Sequence, residues 1–171
     1  MFQFCTTCAS PHIRFEAQTR FQCPDCGFVY YHNIAAATGC IIHTDKGILF
    51  LLRAKEPALG KLDLPGGFVS PGESAVAGLR RECLEEIGWD PGPELSFFAS
   101  FPNTYPYQGI LYNTCDMYFT LSAPALRKAD LCREPEEIGG IQFIQPAELR
   151  IEDLAFDSTR RVIQAFLDRQ G

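Results

Sequence analysis

Apolar and polar positions divide this chain into segments of different period. Residues 35–43 and 48–53 are short runs rich in aliphatic side chains, and the polar Thr44-Asp45-Lys46-Gly47 between them reads as a hairpin turn, so two antiparallel strands are expected. A loop follows, carrying Pro57, Gly60, Pro65, Gly66 and Gly67. From about residue 73 to residue 87 the apolar period becomes helical. Ser70-Pro71-Gly72-Glu73 has the form of a helix start, with a Ser cap, Pro at the first position and Glu at the third, and Gly88 fits the left-handed residue that ends a helix. Strands are again expected over 95–101, over 111–121, where apolar and polar residues partly alternate, and over 141–144. The last element is an amphipathic helix over 158–169 with Val162, Ile163, Phe166 and Leu167 on its apolar face and Asp157 or Ser158 as cap. Strands mixed with two helices predict an α/β or α+β domain; the pattern does not order the sheet.

Residues 1–33 follow neither period and hold few core-like apolar runs, so a boundary is expected near Asn33, with a second domain over 34–171. Cys5-x2-Cys8 and Cys23-x2-Cys26 are separated by 14 residues. Two such knuckles suit a tetrahedral site in which Cys5, Cys8, Cys23 and Cys26 hold structural Zn²⁺, making a small zinc ribbon. A module of about 30 residues cannot bury enough apolar area to fold without such a staple. Gly27 permits a tight turn after the second knuckle, whereas Ala9 stands after the first, where glycine is usual. A thioredoxin-like redox site would need one C-x-x-C beside a βαβ unit, which the pattern lacks. His12 and His32 are nearby, but four cysteines already complete the set. Cys40, Cys83, Cys115 and Cys132 have no ligand spacing and read as core or surface residues.

Composition is that of an ordinary globular protein, 171 residues with 46% apolar and 21% charged, so a sizeable core is expected. The net charge is -6, and residues 1–33 are balanced, Arg14 and Arg20 against Glu16 and Asp25. This disfavours a nucleic-acid partner, which would call for a basic face. The first residues carry no basic segment followed by an apolar one, and no run of about 18 apolar residues occurs, so no membrane association and a reducing cytoplasmic location are expected.

The densest chemistry lies in the first helix. Glu82, Glu85 and Glu86 stand at i, i+3 and i+4 and so share one face, where each like-charge pair costs roughly 0.2–0.5 kcal/mol. Arg81, four residues before Glu85, relieves part of this, while Leu79, Cys83 and Ile87 lie on another face and can anchor the helix. In isolation E-x-x-E-E is most often a solvated acidic face. A rigid cluster of carboxylates is also what Mg²⁺ or Mn²⁺ requires. The neighbours favour the second reading. Gly67, Glu73, Arg81, Glu82, Glu85, Glu86 and Gly88 stand at the spacing of G-x5-E-x7-R-E-U-x-E-E-x-G-U, with Cys83 and Trp89 at the apolar U positions. The stretch resembles the Nudix box, and Leu64-Pro65-Gly66-Gly67 resembles the loop that leads into it.

That resemblance implies a Nudix fold, a mixed sheet sandwiched between helices, and a hydrolase that cleaves a nucleoside diphosphate linked to another moiety. It implies that Glu82, Glu85, Glu86 and the Gly67 carbonyl hold the catalytic Mg²⁺ or Mn²⁺, and that Arg81 orients a catalytic glutamate. Glu73 would play a supporting part, or serve only as a helix-start carboxylate. Glu85 is the first choice of base and Glu137, just before the strand over 141–144, the second. A ribbon followed by the box resembles the NADH pyrophosphatase branch of the family. Residues 100–107, Ser-Phe-Pro-Asn-Thr-Tyr-Pro-Tyr, share Ser and Pro with that branch's downstream signature but not the motif, so the substrate stays open among NADH, ADP-ribose and dinucleoside polyphosphates. Tyr105, Tyr107 and Tyr112 are candidates for stacking on a base, and Asn103 and Asp116 for polar contact, although tyrosines in and beside strands are more often packing positions. The expected partner is a nucleotide-derived small molecule, and the family resemblance allows a homodimer. The competing functions are a nucleotide-sensing regulator that binds without turnover and a nucleic-acid module led by the ribbon.

Overall fold

The computed structural model describes residues 2–16 and 19–169. The chain divides into two units, Met1–Ile34 and Ala35–Gly171. In the first, β1 (Arg14–Glu16), β2 (Arg20–Gln22) and β3 (Val29–Tyr31) form an antiparallel sheet in which Phe15, Phe21 and Tyr30 are in register. Its core is Phe21 with Cys5 and Cys23, covered by Ile13 and Phe28. So small an apolar cluster leaves Cys5 and Cys23 at the centre of the unit, with Cys8 and Cys26 exposed.

The second unit is a six-stranded mixed sheet between two helices. β4 (Ala35–Thr44) and β5 (Gly47–Arg53) are joined by the expected hairpin, His43 opposite Ile48 and Thr44 opposite Gly47. Beyond these pairs the two strands part. β6 (Leu62–Asp63) takes over the edge of β5, and β9 (Ile138–Ile144) pairs along its other edge. β8 (Ile110–Ser122) runs parallel to β4, and β7 (Ser96–Tyr107) is antiparallel to β8. Side chains alternate across the sheet. Cys40, Ile42, Leu49, Leu51 and Phe119 pack with Leu79, Cys83 and Ile87 of α1 (Ala75–Ile87). Ile41, Ile48, Phe50 and Tyr118 pack with Val162, Ile163 and Phe166 of α2 (Asp157–Asp168). Burial on both faces explains why β4 and β5 read as continuous apolar runs rather than alternating ones.

Three local readings of the sequence are corrected. Ser70-Pro71-Gly72-Glu73 is a turn, not the helix start: Glu73 N–H donates to Ser70 O at 3.1 Å and Gly72 has φ +88°. Pro followed by a positive-φ Gly is the preference of a type II turn, and it outcompetes the helix signal. The cap is Ser74, whose hydroxyl accepts from Ala77 N–H at 3.2 Å. β7 runs six residues past the expected end, through Pro102 and Pro106. A strand at the sheet edge tolerates proline, because an outward N–H is not needed for pairing. The Gln108-Gly109 turn beyond it has φ +48° and +77°, as a tight two-residue hairpin requires. Neither Asp157 nor Ser158 caps α2: the N-cap is Phe156, with no side-chain cap, and Ser158 points instead to Asp116. Gly88 ends α1 as expected, with φ +64°. Among the described residues no helix is long and apolar enough to cross a membrane.

Candidate active site

Where β4 and β5 part, residues 65–69 fill the gap. Cys40 N–H donates to Pro65 O, Thr38 N–H to Gly67 O, and Val69 N–H to Ala36 O, at 2.8–3.0 Å. The loop therefore runs as a partial strand beside β4, close enough that a Cβ on Gly66 would lie 2.1 Å from Thr38 O. Its other side meets α1. A Cβ on Gly67 would lie 2.5 Å from Glu82 Cδ, and Gly66 N–H donates to Glu86 Oε2 at 2.8 Å. Two glycines are thus needed for two approaches, the first to a backbone and the second to a carboxylate. The Gly67 carbonyl expected to face a cation already accepts from Thr38 N–H at 2.8 Å and, more weakly, from Thr38 Oγ1 at 3.5 Å.

Arg81 organises the carboxylates of α1 and the turn before it. Its Nε and Nη2 bond Glu73 at 2.7 and 3.1 Å, Nη1 bonds Glu82 at 2.9 Å and Glu85 at 3.0 Å, and Nη2 also bonds Phe68 O at 3.0 Å. The Arg81 side chain holds the Glu73 carboxyl below the usual range. Burial pushes Glu82 up, against the pull of Arg81. Glu86 is pushed well above the ordinary glutamate value by burial, which the Gly66 N–H opposes only in part. Glu85 is the most exposed of the three. No cluster of three carboxylates converges within 4.8 Å among the described residues; Arg81 Nη1 holds Glu82 and Glu85, while Gly66 N–H holds Glu86. A buried, cation-poor carboxylate beside a second one is a donor set that suits a hard divalent cation, which would supply the missing positive charge.

These carboxylates form one wall of a cavity of about 600 Å³. Of the other residues singled out in the sequence, Glu137, Tyr105, Asn103 and Asp116 also line it, whereas Tyr107 and Tyr112 do not. Glu137 is paired with Lys55. A bulge between Leu52 and Arg53 on β5, with Ala54 N–H donating to Glu137 O at 2.8 Å, brings Arg53, Lys55 and Glu137 to the same rim. Arg53, Lys55, Asp63, Thr114, Phe156 and Thr159 are lining residues that the sequence reading missed. Thr114, Asp116 and Tyr118 stand at i, i+2 and i+4 on β8, so alternation could have found that face; the residues from β5, β6 and α2 have no shared local signal.

A family model for the NUDIX domain matches residues 33–166. The chain belongs to that family. Within it, this Nudix chain is similar to proteins named NAD-capped RNA hydrolase NudC. The Chromobacterium violaceum protein is 36% identical over 86 residues, which cover 50% of this chain and 32% of the relative. The Deinococcus radiodurans protein is 26% identical over 164 residues, 94% of this chain and 55% of the relative, a match that runs into the cysteine unit. This chain therefore spans about half or less of the length of these curated relatives. A crystal structure of a Nudix hydrolase from Nitrosomonas europaea superposes with a TM-score of 0.70 at 24% identity, covering 99% of this chain and 92% of that one, and shares the fold.

In the first unit of this Nudix protein, the sulfurs of Cys5, Cys8, Cys23 and Cys26 all lie within 4.8 Å of one another. The Cys5–Cys26 and Cys8–Cys23 Sγ separations are both 3.7 Å. With Zn–S bonds of about 2.3 Å a tetrahedral site has sulfur–sulfur edges of about 3.8 Å. The cluster fits a zinc ribbon. Gly27 takes φ +76° after the second knuckle, and Ala9 takes φ +58° after the first, so the same left-handed turn forms without glycine.

Proposed function

We propose that this protein is a divalent-cation-dependent pyrophosphohydrolase that cleaves the diphosphate linkage of a nucleoside diphosphate derivative. The supporting observation is that the carboxylate face of α1 opens, beside the Gly66-Gly67 loop, onto a cavity large enough for such a molecule. Glu82, Glu85, Glu86 and the Gly67 carbonyl would hold Mg²⁺ or Mn²⁺. Such a cation neutralises phosphate charge and acidifies the attacking water.

The protein's own groups then position and move a proton. Water oxygen attacks one phosphorus, the bond from that phosphorus to the bridging oxygen breaks, and the second phosphate departs with the bridging oxygen. The water proton passes to a carboxylate. Glu85 serves this role, since it is the exposed member of the face and Arg81 fixes its direction at 3.0 Å. Glu137, across the cavity and tied to Lys55, is the second choice. Arg81 is a positioning residue: its bonds to Glu73 and Phe68 O lock the guanidinium that orients Glu82 and Glu85. In the first unit the four cysteines hold structural Zn²⁺.

The substrate panel contains NADH, ADP-ribose and dinucleoside polyphosphates. Phosphate release after phosphatase treatment, measured with Mg²⁺ and with Mn²⁺, tests the reading. Cation-dependent turnover of one class names the substrate. No turnover anywhere on the panel, with nucleotide binding retained, overturns hydrolysis and leaves a nucleotide sensor.

A further inference from the structure

Two aspartates and five glutamates line the cavity, and among the described lining residues only Arg53 and Lys55 carry positive charge. Arg53 ends β5 and Lys55 follows it by two residues. The two cations are held differently. Arg53 Nε donates to Pro57 O at 2.7 Å, and the guanidinium lies 3.5 Å from Asp63 and 5.0 Å over the Phe156 ring; the side chain is 16% exposed. Lys55 is 51% exposed and its ammonium bonds Glu137 alone. It is the one positive charge of the cavity wall that can move without breaking a buried contact.

The glutamates divide in the same way. Arg81 holds Glu82 and Glu85, Gly66 N–H holds Glu86, and Glu136 N–H donates to Glu134 at 3.0 Å. Glu137 has one side-chain partner among the described residues, Lys55. Its backbone is nevertheless fixed. Ala54 N–H donates to Glu137 O at 2.8 Å, Ile138 N–H to Glu134 O at 2.8 Å, and Glu134 N–H to Glu86 O at 3.0 Å, so the segment bearing Glu137 is tied to the end of α1. Glu86, Glu137 and Lys55 share one small recess of the wall. An exposed Lys–Glu pair is weak, so a stronger partner on either side displaces it. An ammonium on a flexible stem turns readily to phosphate oxygens, and a carboxylate freed from it is an oxygen ligand for a hard cation.

We propose that Lys55 is an exchangeable counter-ion: in the free protein it masks Glu137, and when a diphosphate enters the cavity it turns to the phosphate and releases Glu137 to the divalent cation. The proposal rests on the hydrolase reading for the identity of the two ligands. It adds a coupling between them. A side chain that leaves the carboxylate to serve the anion makes each ligand strengthen the binding of the other.

Mn²⁺ binding to the full chain, followed by electron paramagnetic resonance with no nucleotide present, tests the mask. Lys55→Met is expected to bind Mn²⁺ about two- to fivefold tighter than the wild type, the strength of an exposed ion pair. Removal of any positive charge near a cation would act in that direction, so the same substitution is made in Glu137→Gln, where the gain should vanish. No gain in Lys55→Met, or an equal gain in the Glu137→Gln background, overturns the proposal. Initial rates give the second readout. Lys55→Met should raise KM for the substrate while lowering the Mn²⁺ concentration that gives half the maximal rate, and shifts in the same direction overturn the exchange. The expected Mn²⁺ cycle without turnover of any derivative overturns the hydrolase reading and leaves Lys55 as a mask of the cation site; turnover without that cycle does the reverse.

Discussion

Gly66 N–H donates to Glu86 Oε2 at 2.8 Å, and this bond ties the loop beside β4 to the acidic face of α1. It is a single neutral donor for a carboxylate that burial pushes well above its ordinary pKa. Glu86→Gln keeps an acceptor for Gly66 and removes the buried charge. Without added divalent cation the variant is therefore expected to unfold at a higher temperature than the wild type, by the equivalent of about 1–2 kcal/mol. Thermal unfolding followed by circular dichroism checks this; a lower midpoint would show that the charge is paired by something other than that N–H.

Arg81 bonds three carboxylates and one carbonyl at once. Arg81→Lys keeps the charge but cannot span these partners, because an ammonium lacks the planar fork. Stability is expected to fall by about 1–2 kcal/mol, a modest figure because the side chain is 30% exposed. Turnover should fall at least about tenfold through misplacement of Glu82 and Glu85. Denaturant titration and initial rates separate the two effects.

The two loop glycines should differ in kind. Gly66→Ala drives a Cβ into Thr38 O at a φ of +143°, so it is expected to cost at least about 2 kcal/mol of stability. Gly67→Ala first meets the Glu82 carboxyl, the far end of a flexible side chain. It should fold nearly as well as the wild type yet lose about a hundredfold in turnover. Equal losses of stability would contradict the separate roles given to the two residues.

Asp63 is pushed up to about 6 from 3.8, chiefly by burial, with Arg53 and Thr159 opposing. A carboxyl whose folded pKa is raised binds its proton more tightly in the native state. Its contribution to stability is present below the unfolded value and is lost as pH rises from 3.8 to about 6. Asp63→Asn should flatten the stability profile across that window, by less than about 3 kcal/mol. Urea unfolding at a series of pH values reads the difference between the two profiles, and parallel profiles would refute it.

The ribbon is expected to carry one zinc ion per chain. Cys23 is buried at the centre of its unit, so Cys23→Ser should release the metal and unfold that unit, while leaving the far-ultraviolet signal of α1 and α2 in place. Elemental analysis of the purified protein and of the variant decides it.

The part of the site legible in the sequence is the part built within one stretch of chain. Gly67, Arg81 and the glutamates of α1 lie within 20 residues, and helical spacing alone puts Glu82, Glu85 and Glu86 on one face. On the opposite wall Asn103, Tyr105 and Asp116 were legible as candidates, whereas Arg53, Asp63 and Phe156 were not, because they reach the cavity only through the parting of β4 and β5 and the seating of α2. Tyr105 and Tyr107 look alike in sequence, yet only Tyr105 reaches the cavity; Tyr107 stands at the hairpin end, 51% exposed. Ser158 looked like a cap for α2 and became a donor to Asp116, since a buried carboxylate outbids a solvent-accessible helix end.

The central claim, that the carboxylate face of α1 drives cation-dependent cleavage of a diphosphate, is tested most directly by initial rates on the best substrate of the panel, with Mg²⁺ varied from none to saturating, for the wild type and Glu86→Gln. A wild-type rate that rises from background with the cation, and that falls by at least about a hundredfold in a folded Glu86→Gln protein at every cation concentration, is the predicted result. A rate independent of the cation, or unchanged by the substitution, would contradict it.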